Sequence, residues 1–388
     1  MFFIPEYVQK VVDTLMNAGY EAFIVGGPVR DLLLGNAPDD YDITTACLPD
    51  KIIELFHKTI VTGIKHGTVT VVSDGKNIEV TTFRTEGNYL NNRSPEKVNF
   101  VRNVNEDLAR RDFTINAMAY SKKTGIIDLF GGRNDLKNGI IKCVGNPETR
   151  FTEDALRILR AFRFAAKLNF KIEDETLQGI IKTLHLLPNI SRERVWTELN
   201  KILISKNPQI IEKLINLGGL KFLGIEKIGS ACSLSVLPNN LAVRFYAFCH
   251  ISSIDSLMLC QELKTDNKLK DYCIKMNRLF GCDTDFSKIG IKHMLNIADI
   301  DVLTDYFTLL KVLHNKDITA AKNLLDEIIS NNEPYLISHL AINGDDVQCH
   351  GFTDKQVGII LKQLLEKVIA DPKINNVKCL NDILNSIQ

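Results

Sequence analysis

The apolar residues of "PEYVQKVVDTLMNAG" recur at helical spacing, opened by Pro5 and closed by Gly19, and predict a first amphipathic helix. From residue 21 to about 140 the pattern shortens to β-type runs separated by turns: "EAFIV", "YDITT", "GTVTVVS", "IEVTTF" and "GIIDLF". The Asp74-Gly75 step between the third and fourth runs predicts a hairpin turn. Beyond about 150 the strand signals vanish. A helical period takes over in "TEDALRILRAFRFAAKL", "SRERVWTELNKIL" and onward to "DKQVGIILKQLLEKVIA", with short polar loops between. The expected fold is therefore an α+β N-terminal domain, a small mixed sheet with helices, followed by an elongated all-α region.

Composition changes this picture little. A chain of 388 residues with 45% hydrophobic positions can build two or more compact units. Lysine plus arginine equals aspartate plus glutamate, so any anion-binding surface has to be local. The nine cysteines stand singly, without a CxxC pair, as expected of reduced thiols rather than of a disulfide frame or a zinc site. The opening "MFFIPEYVQK" is too briefly apolar for a signal peptide, and no run reaches membrane-spanning length, so a cytoplasmic protein with no membrane partner is expected. Residues 85 to 107, "TEGNYLNNRSPEKVNFVRNVNED", form a long polar stretch of the kind that is functional or mobile.

The densest chemistry lies in "VGGPVRDLLLGNAPDDYDITT", residues 25 to 45. A strand, a tight Gly26-Gly27 turn and a helix opened by Pro28 present free backbone N–H groups, which favour a phosphate. On the next strand Asp40 and Asp42 share a face, while Asp39 and Tyr41 take the other. Two carboxylates beside a phosphate site suit a pair of hard divalent cations, and hence phosphoryl or nucleotidyl transfer.

This span resembles the catalytic signature of the DNA polymerase β nucleotidyltransferase superfamily, in the form found in tRNA nucleotidyltransferases and bacterial poly(A) polymerases. The resemblance implies that Asp40 and Asp42 bind magnesium and act as the catalytic pair, with Gly27 and Arg30 near the nucleotide's phosphates. Glu79 in "IEVTTFR" could supply a third carboxylate, but an exposed strand glutamate explains it equally well and it is not assigned to the site.

A second stretch, "RFTEDALRILRAFRFAAKL", residues 151 to 169, reads as a helix starting at Thr152, with Leu156, Leu159, Phe162, Ala165 and Ala166 as its buried stripe. Asp154 and Arg157 would stand about 60° apart on that helix, where an intrahelical ion pair is the plain interpretation. The chemical alternative is a protein template. A carboxylate accepts and a guanidinium donates, which suits the amino group and ring acceptor shared by cytosine and adenine but not guanine or uracil. Glu153, Asp154 and Arg157 match the EDxxR motif of class II CCA-adding tRNA nucleotidyltransferases. "DLARRDFTINAMAY" is similar to that family's RRDF element, which places Arg111 by the nucleotide and Asp112 near its sugar, and "DLFGGRNDL" is also family-like. The resemblance carries Arg160 and Arg163 over as further nucleotide contacts, although Arg163 lies half a turn from Asp154 on an ideal helix. Arg194 and Glu198 in "SRERVWTELNKIL" match the helix closing the family's neck, and an ordinary i, i+4 ion pair would explain them as well.

The resemblance divides the chain into a catalytic head (1–140), a neck that selects the base (141–205), a helical body (206–300) and a helical tail that binds tRNA (301–388). It implies an enzyme that adds C, C and A to tRNA from CTP and ATP, uses Mg2+ and needs no obligate protein partner. An A-adding enzyme or a poly(A) polymerase shares the chemistry; a catalytically silent RNA-binding protein is the alternative of another kind. The intact stretch 85 to 107 favours full CCA over CC addition, since CC-adding members of the family lack a flexible loop there.

Overall fold

The computed structural model describes residues 2–86, 89–90, 94–95, 98–282 and 285–387. They form two compact units, residues 1–231 and 232–388.

The first unit begins with helix α1 (Glu6–Asn17), whose Val8, Val11, Val12 and Leu15 supply a buried stripe at i, i+3, i+4 and i+7. Strand β1 (Ala22–Val25) is followed by α2 (Gly27–Leu33), β2 (Asp42–Thr45), α3 (Pro49–Leu55), β3 (Thr59–Gly63), β4 (Thr68–Ser73) and β5 (Lys76–Thr82). Short strands β6 (Arg84–Glu86), β7 (Tyr89–Leu90), β8 (Ser94–Pro95) and β9 (Val98–Phe100) precede α4 (Val104–Ala109), β10 (Met118–Ser121), β11 (Gly125–Asp128) and α5 (Gly132–Asn138). Seven of these strands make one mixed sheet in the order β11-β10-β1-β2-β5-β4-β3. Only β2 and β5 run parallel, and their register sets Asp42 opposite Glu79.

The expected β runs and the hairpin are present. Ser73 pairs with Lys76, and Asp74 and Gly75 both take positive φ, as a two-residue type I′ turn requires. Two strands of the seven-stranded sheet escaped the sequence reading. Strand β10 is four buried residues rich in Met and Ala, and β3 is an edge strand with exposed Ile60 and Val61. The polar stretch 85 to 107 holds strand β9, which pairs with β6, and most of α4; residues 87–88, 91–93 and 96–97, on which the loop reading rests, lie outside the described residues.

The "DLFGGRNDL" element is explained by close packing. Asp128 accepts hydrogen bonds from the Gly132 and Arg133 N–H groups at 2.8 and 2.9 Å, capping α5. Asp135 accepts from the Thr114 hydroxyl at 2.6 Å. A Cβ on Gly132 would lie 2.2 Å from the Thr114 carbonyl oxygen, so only glycine lets α5 sit against the segment that carries Asp112 and Asn116.

After β12 (Ile140–Ile141) come α6 (Pro147–Glu153), α7 (Leu156–Leu168), β13 (Lys171–Ile172), α8 (Asp174–Thr183) and α9 (Arg192–Leu203). The β12/β13 pair is parallel and two residues long, the one strand interruption among the described residues of the helical half. The helix expected to start at Thr152 is instead two helices. Asn146 caps α6, accepting from the Thr149 N–H at 3.0 Å, and Pro147 takes the first turn, so Thr152 is helical and its hydroxyl bonds back to the Glu148 carbonyl. The chain breaks at Asp154, with φ of −140°, and α7 carries the expected buried stripe onto α9.

The second unit is helical throughout its described residues, from Cys232–Val236 to Val377–Ile387. Side chains of Asn240, Asp255, Asp266, Ser287 and Asp299 cap successive helices, which is why its loops are short and polar. Lys292 is fully buried among them, its ammonium 2.8 Å from Glu333. Among the described residues no helix is long and apolar enough to cross a membrane.

Gly132→Ala is expected to destabilise the first unit by about 2–4 kcal/mol, because backbone must move to admit the methyl group. Gly358→Ala, on a helix face with nothing within 4 Å, is expected to stabilise the second unit by about 0.5–1 kcal/mol. Urea unfolding of the two variants and the parent chain checks both signs.

Candidate active site

Strand β1 ends at Val25, and Gly26 turns the chain with φ of +76°. A Cβ at Gly26 would lie 3.0 Å from Arg111 Nη1, so the glycine serves both the left-handed backbone and the approach of an arginine. Helix α2 then brings Arg30 inward, where it is 4% exposed. Its Nη1 donates to Asn116 Oδ1 at 2.7 Å and its Nε to Asp31 at 2.9 Å. Asn116 Nδ2 donates to Asp112 Oδ1 at 3.2 Å, and Arg160 Nε donates to Asp112 Oδ2 at 2.7 Å. One buried chain of hydrogen bonds thus joins α2, the turn after α4 and α7. Burial opposes charge on Asp112, but the charge and hydrogen bond of Arg160 and the hydrogen bond of Asn116 outweigh it and carry its pKa down to about 2.

The carboxylates sit differently. Asp40 precedes β2 and Asp42 begins it; both are exposed while Tyr41 between them is 5% exposed, so the alternation expected of a strand places them on one side. Asp39 is exposed as well, so exposure alone does not set it apart. The protein around Asp42, together with the negative charges of Glu79 and Asp40, pushes its pKa up to about 6, with Arg111 acting the other way. Hard carboxylate oxygens crowded in this way fit a divalent cation. Among the described residues no three His, Cys, Asp or Glu side chains converge into a complete metal site, so the protein offers a partial set whose remaining positions suit phosphate oxygens or water.

The opposite wall is cationic. Asp107, fully buried, holds Arg110 at 2.8 Å and Arg111 at 3.3 Å. Arg30, Arg160 and Arg163 lie 5.4, 5.5 and 4.2 Å from the centre of the Phe164 ring. Arg163 Nε reaches Glu198 at 3.0 Å, off the hydrogen-bonding direction. Burial, and next the charge of Arg160, bring the Arg163 pKa down to about 10, with Glu198 pulling back. Burial lowers that of Arg111 as well, against the pull of Asp107.

The pairing expected of Asp154 and Arg157 is not formed. Arg157 donates to Glu153 at 2.7 Å and to the carbonyls of Arg150 and Arg110 at 3.1 and 3.2 Å. Asp154 Oδ1 accepts from the Leu156 N–H at 3.1 Å and Oδ2 from Arg194 Nη2 at 2.8 Å. Arg194 and Glu198 likewise do not pair with each other; each reaches across to a different partner, because α9 lies against α7.

These groups line one cavity of about 740 Å³. Of the residues singled out from sequence, Gly27, Arg30, Asp42, Arg111, Asp112, Asp154, Arg157, Arg160 and Arg163 line it, and Asp40 lies beside Asp42 outside that lining. The sequence reading missed Arg110, Asn116, Phe164, Lys167 and Lys201 as lining residues. Arg110 is the other half of the Arg-Arg doublet and Phe164 follows Arg163, so both carried a local signal; Asn116 and Lys201 carried none. Seven arginines and two lysines face three aspartates there, a positive surplus inside a chain of zero net charge. Such a cavity can hold a polyanion at its arginine wall and a cation at its carboxylate edge.

Two sequence families match the chain: Poly A polymerase head domain over residues 22–142, and Probable RNA and SrmB-binding site of polymerase A over residues 169–224. The CCA-adding enzyme of Ligilactobacillus salivarius is 51% identical over 209 residues, 53% of this chain and 52% of the relative. That of Limosilactobacillus reuteri is 46% identical over 238 residues, 61% of this chain and 59% of the relative. The match thus spans little more than half the length of these curated relatives. The Bacillus stearothermophilus CCA-adding enzyme in complex with CTP shares the fold with a TM-score of 0.81 and 31% identity, over 95% of this chain and 94% of that one.

The depressed pKa of Asp112 makes it a stabilising carboxylate above its unfolded value near 4, and that stability is lost as pH falls toward 2. Asp112→Asn leaves Arg160 facing an amide and is expected to cost about 3–5 kcal/mol at pH 7. The variant should also lose the acid-dependent step between pH 4 and 2, which chemical unfolding across that range reads directly.

Proposed function

The chain belongs to the family of CCA-adding enzymes, and from that membership we propose that it is a tRNA nucleotidyltransferase that adds C, C and A to the tRNA 3′ end from CTP and ATP. The observation that carries this reading is the cavity with its two opposed charge zones, seven arginines and two lysines against the edge formed by Asp42. A nucleoside triphosphate is the ligand class that matches both, since its phosphates meet the arginines and the divalent cation that accompanies it would be held by the carboxylates. The Poly A polymerase head match and the probable RNA-binding segment over residues 169–224 agree with an RNA acceptor.

In this mechanism the 3′-hydroxyl oxygen of the RNA attacks the α-phosphorus of the bound nucleotide and gives up its proton to solvent, a new O–P bond forms, and the bond to the pyrophosphate breaks. Asp40 and Asp42, with Glu79 in register beside Asp42, would hold the divalent cation, magnesium in our reading, which when bound supplies Lewis-acid stabilisation of the developing charge. Arg160 and Arg163, stacked on Phe164, keep their guanidinium groups in fixed positions for the charge that collects on the leaving pyrophosphate. Asp112 anchors Arg160 and stands next to the sugar, and Arg30 and Arg111 flank the glycine turn at the phosphates.

Base choice rests on Asp154 and Arg157. The two do not pair with each other: Glu153 holds Arg157 and Arg194 holds Asp154, and a bound base would meet both groups from the cavity. Asp154 accepts from the amino group of cytosine or adenine and Arg157 donates to the neighbouring ring nitrogen. Guanine and uracil would set acceptor against acceptor, at a cost of about 1–3 kcal/mol per unsatisfied group. The reaction belongs in the cytoplasm, with tRNA as the macromolecular partner.

Labelled CTP and ATP, offered separately and together to tRNA transcripts ending before CCA, after C and after CC, test the reading. CTP use on the first two and ATP use on the third is the expected result; ATP use alone would make the chain an A-adding enzyme or a poly(A) polymerase. Asp42→Asn is expected to lower incorporation on the order of 10³-fold or more. Its folded pKa is raised, so the charged form of Asp42 opposes folding once pH rises through about 6. The same variant should therefore melt no lower than the parent at pH 7.5, a combination that a silent RNA-binding protein would not show.

A further inference from the structure

The second unit buries two thiols against each other. Cys260 lies on the helix Ser256–Glu262 and Cys273 on the next helix, Asn267–Gly281, 13 residues further along. Their sulfurs stand 3.9 Å apart in an S–H···S contact, and the two residues are 1% and 0% exposed. All nine cysteines of the chain are free, so this is the reduced state of the pair. Neither residue lines the catalytic cavity.

The pair differs from cysteines that serve only as packing. Burial pushes Cys47 up to about 11 and Cys143 up to about 12, and it raises Cys249 as well, so these remain protonated, small apolar side chains. At Cys260 the hydrogen bond from Cys273 outweighs burial and brings the thiol below its ordinary value, with Lys270 helping and Asp266 opposing. The same hydrogen bond, together with burial, raises Cys273, which keeps its proton. One sulfur is thus favoured as the nucleophilic thiolate, and a resolving thiol stands beside it. A cavity of about 420 Å³, lined by Cys249, His250, Ser256, Asn277 and Phe280 among others, gives a small molecule a way in. The Ser256 hydroxyl on its wall reaches Asn277 Oδ1 at 3.3 Å and is within hydrogen-bonding reach of the Cys273 sulfur, so one side chain separates the cavity from the pair.

We propose that Cys260 and Cys273 are a modification site for peroxide, a redox pair that closes into a reversible disulfide. The Cys260 thiolate attacks one peroxide oxygen, the O–O bond breaks, and Cys260 becomes a sulfenic acid while the departing hydroxide recovers the proton that Cys260 gave up. The Cys273 sulfur then attacks the Cys260 sulfur. An S–S bond forms, the S–O bond breaks, and the Cys273 proton leaves with the hydroxide as water. Two thiols are oxidised and one peroxide is reduced to two waters. A disulfide is about 2.05 Å long, and rotation about the two Cα–Cβ bonds brings sulfurs on adjacent helices together over the gap that remains. The bridge staples the two helices across residues 263–266 and stops Cys260 from passing on to the irreversible sulfinic acid. In a reducing compartment it forms with the oxidant and is undone by thiol exchange.

In the test the full chain is treated with hydrogen peroxide under native conditions, its remaining thiols are blocked with N-ethylmaleimide, and it is digested with trypsin without reduction. The expected product joins residues 245–264 to residues 271–275, the peptides bounded by Arg244, Lys264, Lys270 and Lys275. Cys249 shares the first peptide with Cys260. The link is therefore expected to persist in Cys249→Ala and to vanish in Cys260→Ala and in Cys273→Ala. If a variant does not fold, fragment ions that separate Cys249 from Cys260 in the parent's linked peptide give the same answer. The oxidised parent is expected to melt about 5 °C above the reduced one, and dithiothreitol should remove that gain. A link that survives in Cys260→Ala overturns the pair. So does a parent without the link although its exposed Cys232 and Cys349 have been oxidised.

Discussion

The ion pair between Asp112 and Arg160, in which the guanidinium's Nε and Nη2 both reach Oδ2, is the contact on which the first unit's chemistry depends. Its bonds of 2.6 and 2.7 Å tie the segment after α4 to the middle of α7, two pieces of chain almost fifty residues apart. A carboxylate 8% exposed would be costly alone, and the guanidinium pays that cost. Through Asn116 the same carboxylate reaches Arg30, so that the glycine turn, the Arg-Arg doublet and the arginine helix share one set of coordinates. A ligand bridging these elements therefore meets groups already fixed in position, and little of its binding energy goes into ordering them.

Around that anchor, charges are concentrated rather than neutralised. Asp107, Glu153 and Glu198 sit behind the arginines and hold them by one or two contacts, leaving the cavity face positive. The carboxylate edge is built the opposite way, Asp42 crowded by Glu79 and Asp40 with only Arg111 acting against them. Each zone is less stable than its surroundings would allow. Arg163 is brought down to about 10 and Asp42 up to about 6, each toward neutrality. Such opposed charge within one 740 Å³ cavity is the electrostatic complement of a ligand that carries negative phosphates together with a cation.

Elements with a strong local signal were legible in the sequence. The α1 stripe, the Asp74-Gly75 hairpin and the buried face of α7 follow from spacing and turn chemistry alone. Residues of the site that belong to compact motifs, Arg30 or Asp112, could be named for the same reason. What the sequence hid depends on contacts between distant segments. Strand β10 is a strand because it lies between β1 and β11, not because Met, Ala, Tyr and Ser favour one. Glu79 could be named as a candidate but is set opposite Asp42 only by the parallel register with β2, and Lys201 reaches the cavity only through the packing of α9 on α7.

Asp154 shows how a single wrong boundary spreads. With the helix started at Thr152, Asp154 and Arg157 become neighbours on one face and Arg163 falls on the far side. Asn146 and Pro147 start the helix earlier, and Asp154 becomes the joint between two helices, its Oδ1 capping the second through the Leu156 N–H. Freed from the helical wheel, it turns its other oxygen to Arg194 on α9 and lines the same cavity as Arg163. The arginine that ideal geometry argued against thereby lines the same cavity as the carboxylate, and the arginine expected to pair with that carboxylate is held by Glu153 instead. A joint of this kind has a mechanical advantage over a helical position. The cap fixes the carboxylate to the start of α7, whereas the bond to Arg194 fixes it to α9, so its direction is set by two elements and not by one side-chain rotamer. The base-reading role proposed for Asp154 needs that constraint, because an acceptor free to rotate could meet a donor from either class of base.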